Sequence, residues 1–120
     1  MGLGDSEGVQ RDLEKGIDLL QKSKEPRTPK FRIKLGRLQY SKKDYGETTI
    51  SFTKAIELNP NYVRTYLNRG YSYHKKGEYD EAIKDFTKAI ELNPDYALAY
   101  WRHYLRYGFF EIKQDLLENN

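Results

Sequence analysis

The stretch Phe52-Thr-Lys-Ala-Ile-Glu-Leu-Asn-Pro60 recurs without a change as Phe86 to Pro94, 34 positions later. Extended outward, residues 44–62 match 78–96 at Tyr45/Tyr79, Glu47/Glu81 and Tyr62/Tyr96 as well, whereas the preceding halves agree only at Gly36/Gly70 and Lys42/Lys76. A fixed period of this size is the mark of stacked supersecondary units, each burying its apolar face against the next. The fold therefore follows from reading one unit closely.

Within Glu78 to Asn93 the apolar residues Tyr79, Ala82, Ile83, Phe86, Ala89, Ile90 and Leu92 mostly follow the spacing i, i+3, i+4, i+7, which gathers them on one stripe of an amphipathic helix. Lys84, Asp85, Lys88 and Glu91 fill the other side, with Glu81/Lys84 and Lys84/Lys88 at neighbouring helical spacings, and that face reads as solvated. Asn93-Pro94 ends the helix, since proline cannot continue one and disfavours helical geometry in the residue before it. Upstream, Val63 to Lys76 carries Tyr66, Leu67, Gly70, Tyr73 and His74 at spacings of three and four and runs out at Gly77. One unit is thus helix, short turn, helix. Gly70 and Ala82 let the two axes approach, with Tyr73, Tyr79 and Phe86 filling the space around the contact. A glycine inside a helix costs roughly 1 kcal/mol against alanine, and packing is its compensation.

The residues Tyr66, Gly70, Tyr73, Gly77, Tyr79, Ala82, Phe86, Ala89 and Pro94 resemble the framework of the tetratricopeptide repeat (TPR), a 34-residue helix-turn-helix. The resemblance implies an all-α fold, a short right-handed α-solenoid of such units with N- and C-terminal capping helices. Counted in this register, 63–96 is one unit and 29–62 the one before it, keeping Leu35, Gly36, Tyr45, Phe52, Ala55 and Pro60. Arg32, Gln39 and Thr48 stand where the second unit has Tyr66, Tyr73 and Ala82, so the earlier pair is expected to pack less tightly. The identity of the two nine-residue stretches fits recent duplication or consensus design.

Residues 1–28 read as a flexible start followed by an N-terminal capping helix. Val9, Leu13, Ile17 and Leu20 form a stripe between Ser6 and Ser23, and Pro26 stands 34 residues before Pro60, as in the second helix of a worn upstream repeat. The alternative is a free partner-binding helix. Gly2 with Ser6 satisfies the loose N-myristoylation pattern, but Asp5 and Glu7 put acid where an anchor prefers base, and a short leader reads equally well. Residues 97–120 read as a degenerate third unit or a C-terminal capping helix. Tyr100 and Tyr107 take the places of Tyr66 and Tyr73, but Tyr104 falls where Gly70 stood and Lys113 where Tyr79 stood. Trp101, Leu105, Phe109, Ile112, Leu116 and Leu117 then give a helix to about Gly108, followed by a continuation or a bent second helix. If part of that segment stays exposed, Trp101, Phe109 and Phe110 are the candidates for self-association, giving a homo-oligomer.

Composition narrows the chemistry. The 120 residues contain no cysteine, are 38% hydrophobic and 32% charged, and carry a net charge of +3, which fits one soluble domain in a cytoplasmic or nuclear setting. No apolar run approaches the ~20 residues that span a bilayer, so no membrane partner is expected. His74 and His103 have no neighbouring ligand or nucleophile at useful spacing, and there is no glycine-rich phosphate loop. The expectation is a protein that is not an enzyme, with no catalytic residue, metal or cofactor.

The charge has a location. Lys30, Arg32, Lys34, Arg37, Lys42 and Lys43 fall in fourteen residues without one acid, and residues 29–62 hold seven Lys/Arg against three Asp/Glu, whereas 63–96 balances six against six. Such a run is a solvated helix face or an electrostatic surface for an acidic partner. The TPR resemblance implies that first helices line a concave groove. It would be formed by Lys30, Ile33, Lys34, Arg37, Tyr40 and Ser41, then Arg64, Leu67, Asn68, Tyr71, His74 and Lys75, then Leu98, Trp101, Arg102, Leu105, Gly108 and Phe109. Cations beside aromatic faces favour an extended acidic segment, and the reading is an adaptor or scaffold that binds a protein or peptide. A structural module pairing through its end helices is the second reading. Nucleic-acid binding through the basic helix is a third and weaker one, with a charge of only +3 and no recognised motif. TPR proteins that clamp the acidic tails of heat-shock chaperones use Lys and Asn in the first unit, Asn in the second, and Lys and Arg in the third. This chain keeps Asn68 and Arg102 but has Ile33, Arg37 and Leu98 at the other three places.

Overall fold

A computed structural model describes residues 5–95 and residue 97. Among these the chain forms five α-helices and no strand: α1 (Asp5–Lys22), α2 (Pro29–Ser41), α3 (Tyr45–Leu58), α4 (Val63–Lys75) and α5 (Tyr79–Leu92). Their ends have local causes. Thr28 caps α2, its hydroxyl accepting from the Phe31 N–H at 3.1 Å, and Pro29 opens the helix where no N–H is needed. Asp44 caps α3, its carboxylate accepting from the Glu47 N–H at 3.3 Å. α5 stops at Leu92 with Asn93 as its C-cap. Helical geometry resumes at Pro94, and the Ala97 N–H donates to the Asn93 carbonyl at 3.0 Å. The capping or third-unit helix predicted over 97–120 otherwise lies outside the described residues.

Each helix packs on its neighbours in sequence, α1 on α2, α2 on α3, α3 on α4 and α4 on α5, so the chain is an all-α solenoid. In α1 the stripe faces inward through Leu13, Ile17 and Leu20, and the latter two join Phe31 and Leu35 of α2 in one buried cluster. Val9, on the same stripe by spacing, remains 54% exposed, because α1 meets α2 further along its length, where Gly16 faces Leu38. A second cluster gathers Tyr66, Leu67 and Tyr71 of α4 with Ala82, Phe86 and Ala89 of α5.

Three packing expectations need correction. The α2/α3 pair is not the looser one: a Cβ on Gly36 would lie 2.7 Å from the Phe52 ring, while one on Gly70 would lie 3.1 Å from the Phe86 ring. Gln39 and Thr48 are both fully packed polar residues, Gln39 accepting from the Ser51 hydroxyl at 2.6 Å and Thr48 donating to the Asp44 carbonyl at 2.7 Å. Tyr79 does not fill the interhelical space; it is 38% exposed, with its ring 5.2 Å from that of His74.

The third correction is Asp85. Placed by its charge on the solvated face of α5, it is in fact 3% exposed and paired with Arg69 of α4. The guanidinium donates from Nε and Nη2 to the two carboxylate oxygens at 2.8 and 2.7 Å, and from Nη1 to the Thr53 hydroxyl of α3 at 3.1 Å. Tyr66 and Tyr73 flank the guanidinium, with ring centroids 5.9 and 5.7 Å away. One cation therefore ties three helices together. Glu81 and Lys84, by contrast, do form the exposed pair expected from their spacing, at 3.2 Å.

Candidate functional site

The outer face of α2 carries the basic run, and the fold turns that run into a surface with shape. Lys30, Ile33, Lys34, Arg37 and Ser41 recur at spacings of three and four, so they share one stripe of the helix. That stripe borders an open cavity of about 1020 Å³ together with Thr28, Pro29, Leu38, Asn59 and Tyr62. Three cations and no carboxylate stand among its described lining residues. Lys30, Lys34 and Arg37 are exposed, which leaves their charged ends hydrated, and Ile33, Leu38 and the ring of Tyr62 supply apolar wall between them.

The candidate residues of α4 are placed differently. Leu67 is 1% exposed and Tyr71 7%, both inside the core, with the Tyr71 ring 5.3 Å from that of Phe86. Neither presents a groove surface in this structure. Arg64 is exposed, Asn68 and His74 are half-buried, and none of the three lines the α2 cavity. Tyr40 turns its ring edge-on to Tyr45 at 5.3 Å and likewise stays out of the cavity. Trp101 and Arg102, with Phe109 and Phe110 proposed for self-association, lie outside the described residues, as do Leu98, Leu105 and Gly108.

The sequence reading missed Thr28, Pro29, Leu38, Asn59 and Tyr62 as lining residues. Three of them, Thr28, Asn59 and Tyr62, sit in the segments that lead into α2 and α4, where a register counted along helices assigns no role. The Asn59-Pro60 stop was the available signal, because the turn that ends α3 has to pass the mouth of the surface made by α2.

Among the described residues no helix is long and apolar enough to cross a membrane, and no three His, Asp or Glu side chains are grouped to hold a metal ion. A stack of short helix pairs presenting a charged, partly apolar cavity is a helical repeat protein. The chain belongs to the tetratricopeptide repeat family: a family model described as tetratricopeptide repeat matches residues 63–96, and a second, described as TPR repeat, matches residues 36–77. Two solved structures share the fold. A crystal structure of MamA has a TM-score of 0.70 at 23% identity, the match covering 88% of this chain and 63% of that one. The first TPR of Spaghetti (RPAP3), bound to the HSP90 peptide SRMEEVD, has a TM-score of 0.70 at 23% identity, over 95% of this chain and 87% of that one. This chain thus spans less than two thirds of the MamA chain. A comparison with curated proteins finds no significant match.

Proposed function

We propose that the chain is a protein-interaction module that takes an extended acidic peptide across the outer face of α2. The observation that carries this reading is the cavity itself, in which Lys30, Lys34 and Arg37 surround Ile33, Leu38 and Tyr62 with no carboxylate among the described lining. Arg37 offers a planar fork that suits a carboxylate, and the two lysines act as mobile point charges on either side. Apolar side chains of the peptide rest against Ile33 and Tyr62. A continuation over α4 through Arg64 and Asn68 rests on the repeat register. The HSP90 peptide held by the similar TPR of Spaghetti supports a peptide as the class of ligand. Such a module acts as an adaptor or scaffold, and its lack of cysteine suits a cytosolic or nuclear setting.

The test is fluorescence anisotropy with a labelled, extended peptide of alternating acidic and apolar residues. Replacing Lys30, Lys34 and Arg37 together by alanine should weaken binding by about tenfold or more, each exposed charge contributing up to about 1 kcal/mol. Binding should also weaken as salt is raised, because the cations are hydrated and screened. A peptide with a free C-terminal SRMEEVD sequence should bind no better than an amidated acidic peptide, since Ile33 and Arg37 depart from the clamp that holds such a tail. An unchanged affinity in the triple variant would refute the assignment.

A further inference from the structure

We infer that a second site, on the opposite side of α2, binds one small oxyanion, a phosphate or a lone carboxylate. It is independent of the peptide reading. Phe31, Arg32, Leu35 and Gln39 project from α2 roughly half a turn of helix away from Lys30, Lys34 and Arg37. With Gln21, Arg27 and the α3 residues Glu47, Ile50, Ser51 and Lys54, they line an open recess of about 140 Å³. That is room for a small oxyanion with some of its water, and far less than the α2 cavity offers a peptide.

The charge inside points to the ligand. Arg27, Arg32 and Lys54 border the recess against one carboxylate, that of Glu47, which stands exposed near the start of α3; Arg27 also donates to the Gln21 carbonyl at 3.0 Å and lies 4.2 Å over the Phe31 ring. The Arg32 Nε is buried and has no hydrogen-bond partner among the described residues. A buried guanidinium N–H without an acceptor is costly, so a small shift of the Arg32 side chain that brings it against an acceptor in the recess is favoured.

The repeat says what is missing. Arg32, Gln39 and Ser51 stand at the positions of Tyr66, Tyr73 and Asp85. In the second pair the two tyrosines flank a guanidinium that closes on the Asp85 carboxylate. In the first pair Leu35 replaces that arginine, Arg32 brings a guanidinium in from the neighbouring position, and Ser51 replaces the carboxylate with a hydroxyl that donates to Gln39 at 2.6 Å. The cation has been kept and its oxyanion has not. An anion from solution completes the arrangement that Asp85 completes internally one repeat later.

The proposal is tested by amide NMR titration of the full chain with inorganic phosphate and, separately, with acetate, ionic strength being held constant with chloride. Saturable shifts centred on Gln39 and Ser51 are expected with at least one of the two anions. Saturation by phosphate alone assigns a tetrahedral oxyanion, and the same shifts with acetate assign a carboxylate. Arg32→Met should weaken the response by about tenfold or more, as loss of a charge-assisted hydrogen bond does. Ser51→Asp, which supplies the carboxylate from within, should abolish it while leaving the helical circular dichroism unchanged, and it keeps the proposal testable if Arg32→Met does not fold. A linear, unsaturable drift with both anions overturns the proposal. So do shifts confined to Lys30, Lys34 and Arg37, or a folded Ser51→Asp variant that binds phosphate as the parent does.

Discussion

Gly36 and Gly70 hold the same place in two helix pairs, yet the room beside them differs. A methyl group at Gly36 meets the buried Phe52 ring at 2.7 Å, whereas at Gly70 it meets the Phe86 ring at 3.1 Å. Gly36→Ala should therefore destabilise by about 1–3 kcal/mol, the usual cost of overpacking. Gly70→Ala should cost less, because a shift of a few tenths of an ångström relieves the contact and alanine recovers about 1 kcal/mol of helix propensity. Urea denaturation of the two variants checks the order, which matters more than either value. Arg69 and Asp85 give a second residue-scale prediction. Arg69→Ala strands a carboxylate that is almost fully buried and should cost about 3 kcal/mol or more, while replacing both partners by leucine should restore most of the loss. Burial pushes the Asp85 carboxyl above its ordinary value of 3.8, against the opposing pull of the Arg69 hydrogen bonds. Its contribution to stability is then greatest below about 3.8 and falls as pH rises through the elevated folded value. Asp85→Asn should remove that part of the pH dependence of the unfolding free energy. None of this was visible in the spacing of α5, which marks Asp85 as solvated by its charge alone; its partner lies 16 residues away on another helix.

At the scale of elements the two turns repeat more faithfully than their residues do. The α2–α3 turn passes through Lys43 at φ +70°, and the α4–α5 turn through Gly77 at φ +80°. Both are closed by the same bonds, Lys43 and Gly77 donating to Tyr40 and His74 at 2.9 Å, and Asp44 and Glu78 donating to Gln39 and Tyr73 at 2.9 and 2.8 Å. A lysine with positive φ carries steric strain that glycine lacks, partly offset by the greater freedom of glycine when unfolded. Lys43→Gly should raise stability by about 0.5–1 kcal/mol, measurable as a higher urea midpoint with an unchanged slope. The helices and their stops were legible because apolar period, Gly77 and the two Asn-Pro pairs all mark the same boundaries. The tightness of the first pair was not. Arg32, Gln39 and Thr48 read as departures from an apolar framework, whereas Gln39 and Thr48 are accommodated by hydrogen bonds that no single-residue pattern reveals.

For the molecule as a whole, the net charge of +3 understates its surface, because the excess is concentrated on one helix. The basic run was legible as a run; the TPR resemblance implied that Lys30, Lys34 and Arg37 share a surface, and all three line the α2 cavity. Leu67 and Tyr71 were assigned to the same groove by register, yet they lie in the core, since register fixes the direction of a side chain but not what covers it. The proposed peptide binding depends on charge at the α2 cavity, and the most direct measurement reverses that charge. With Lys30, Lys34 and Arg37 changed together to glutamate, anisotropy titrations should show the acidic peptide lost and its lysine-substituted counterpart gained. Retained binding of the acidic peptide by the folded, charge-reversed protein would contradict the account.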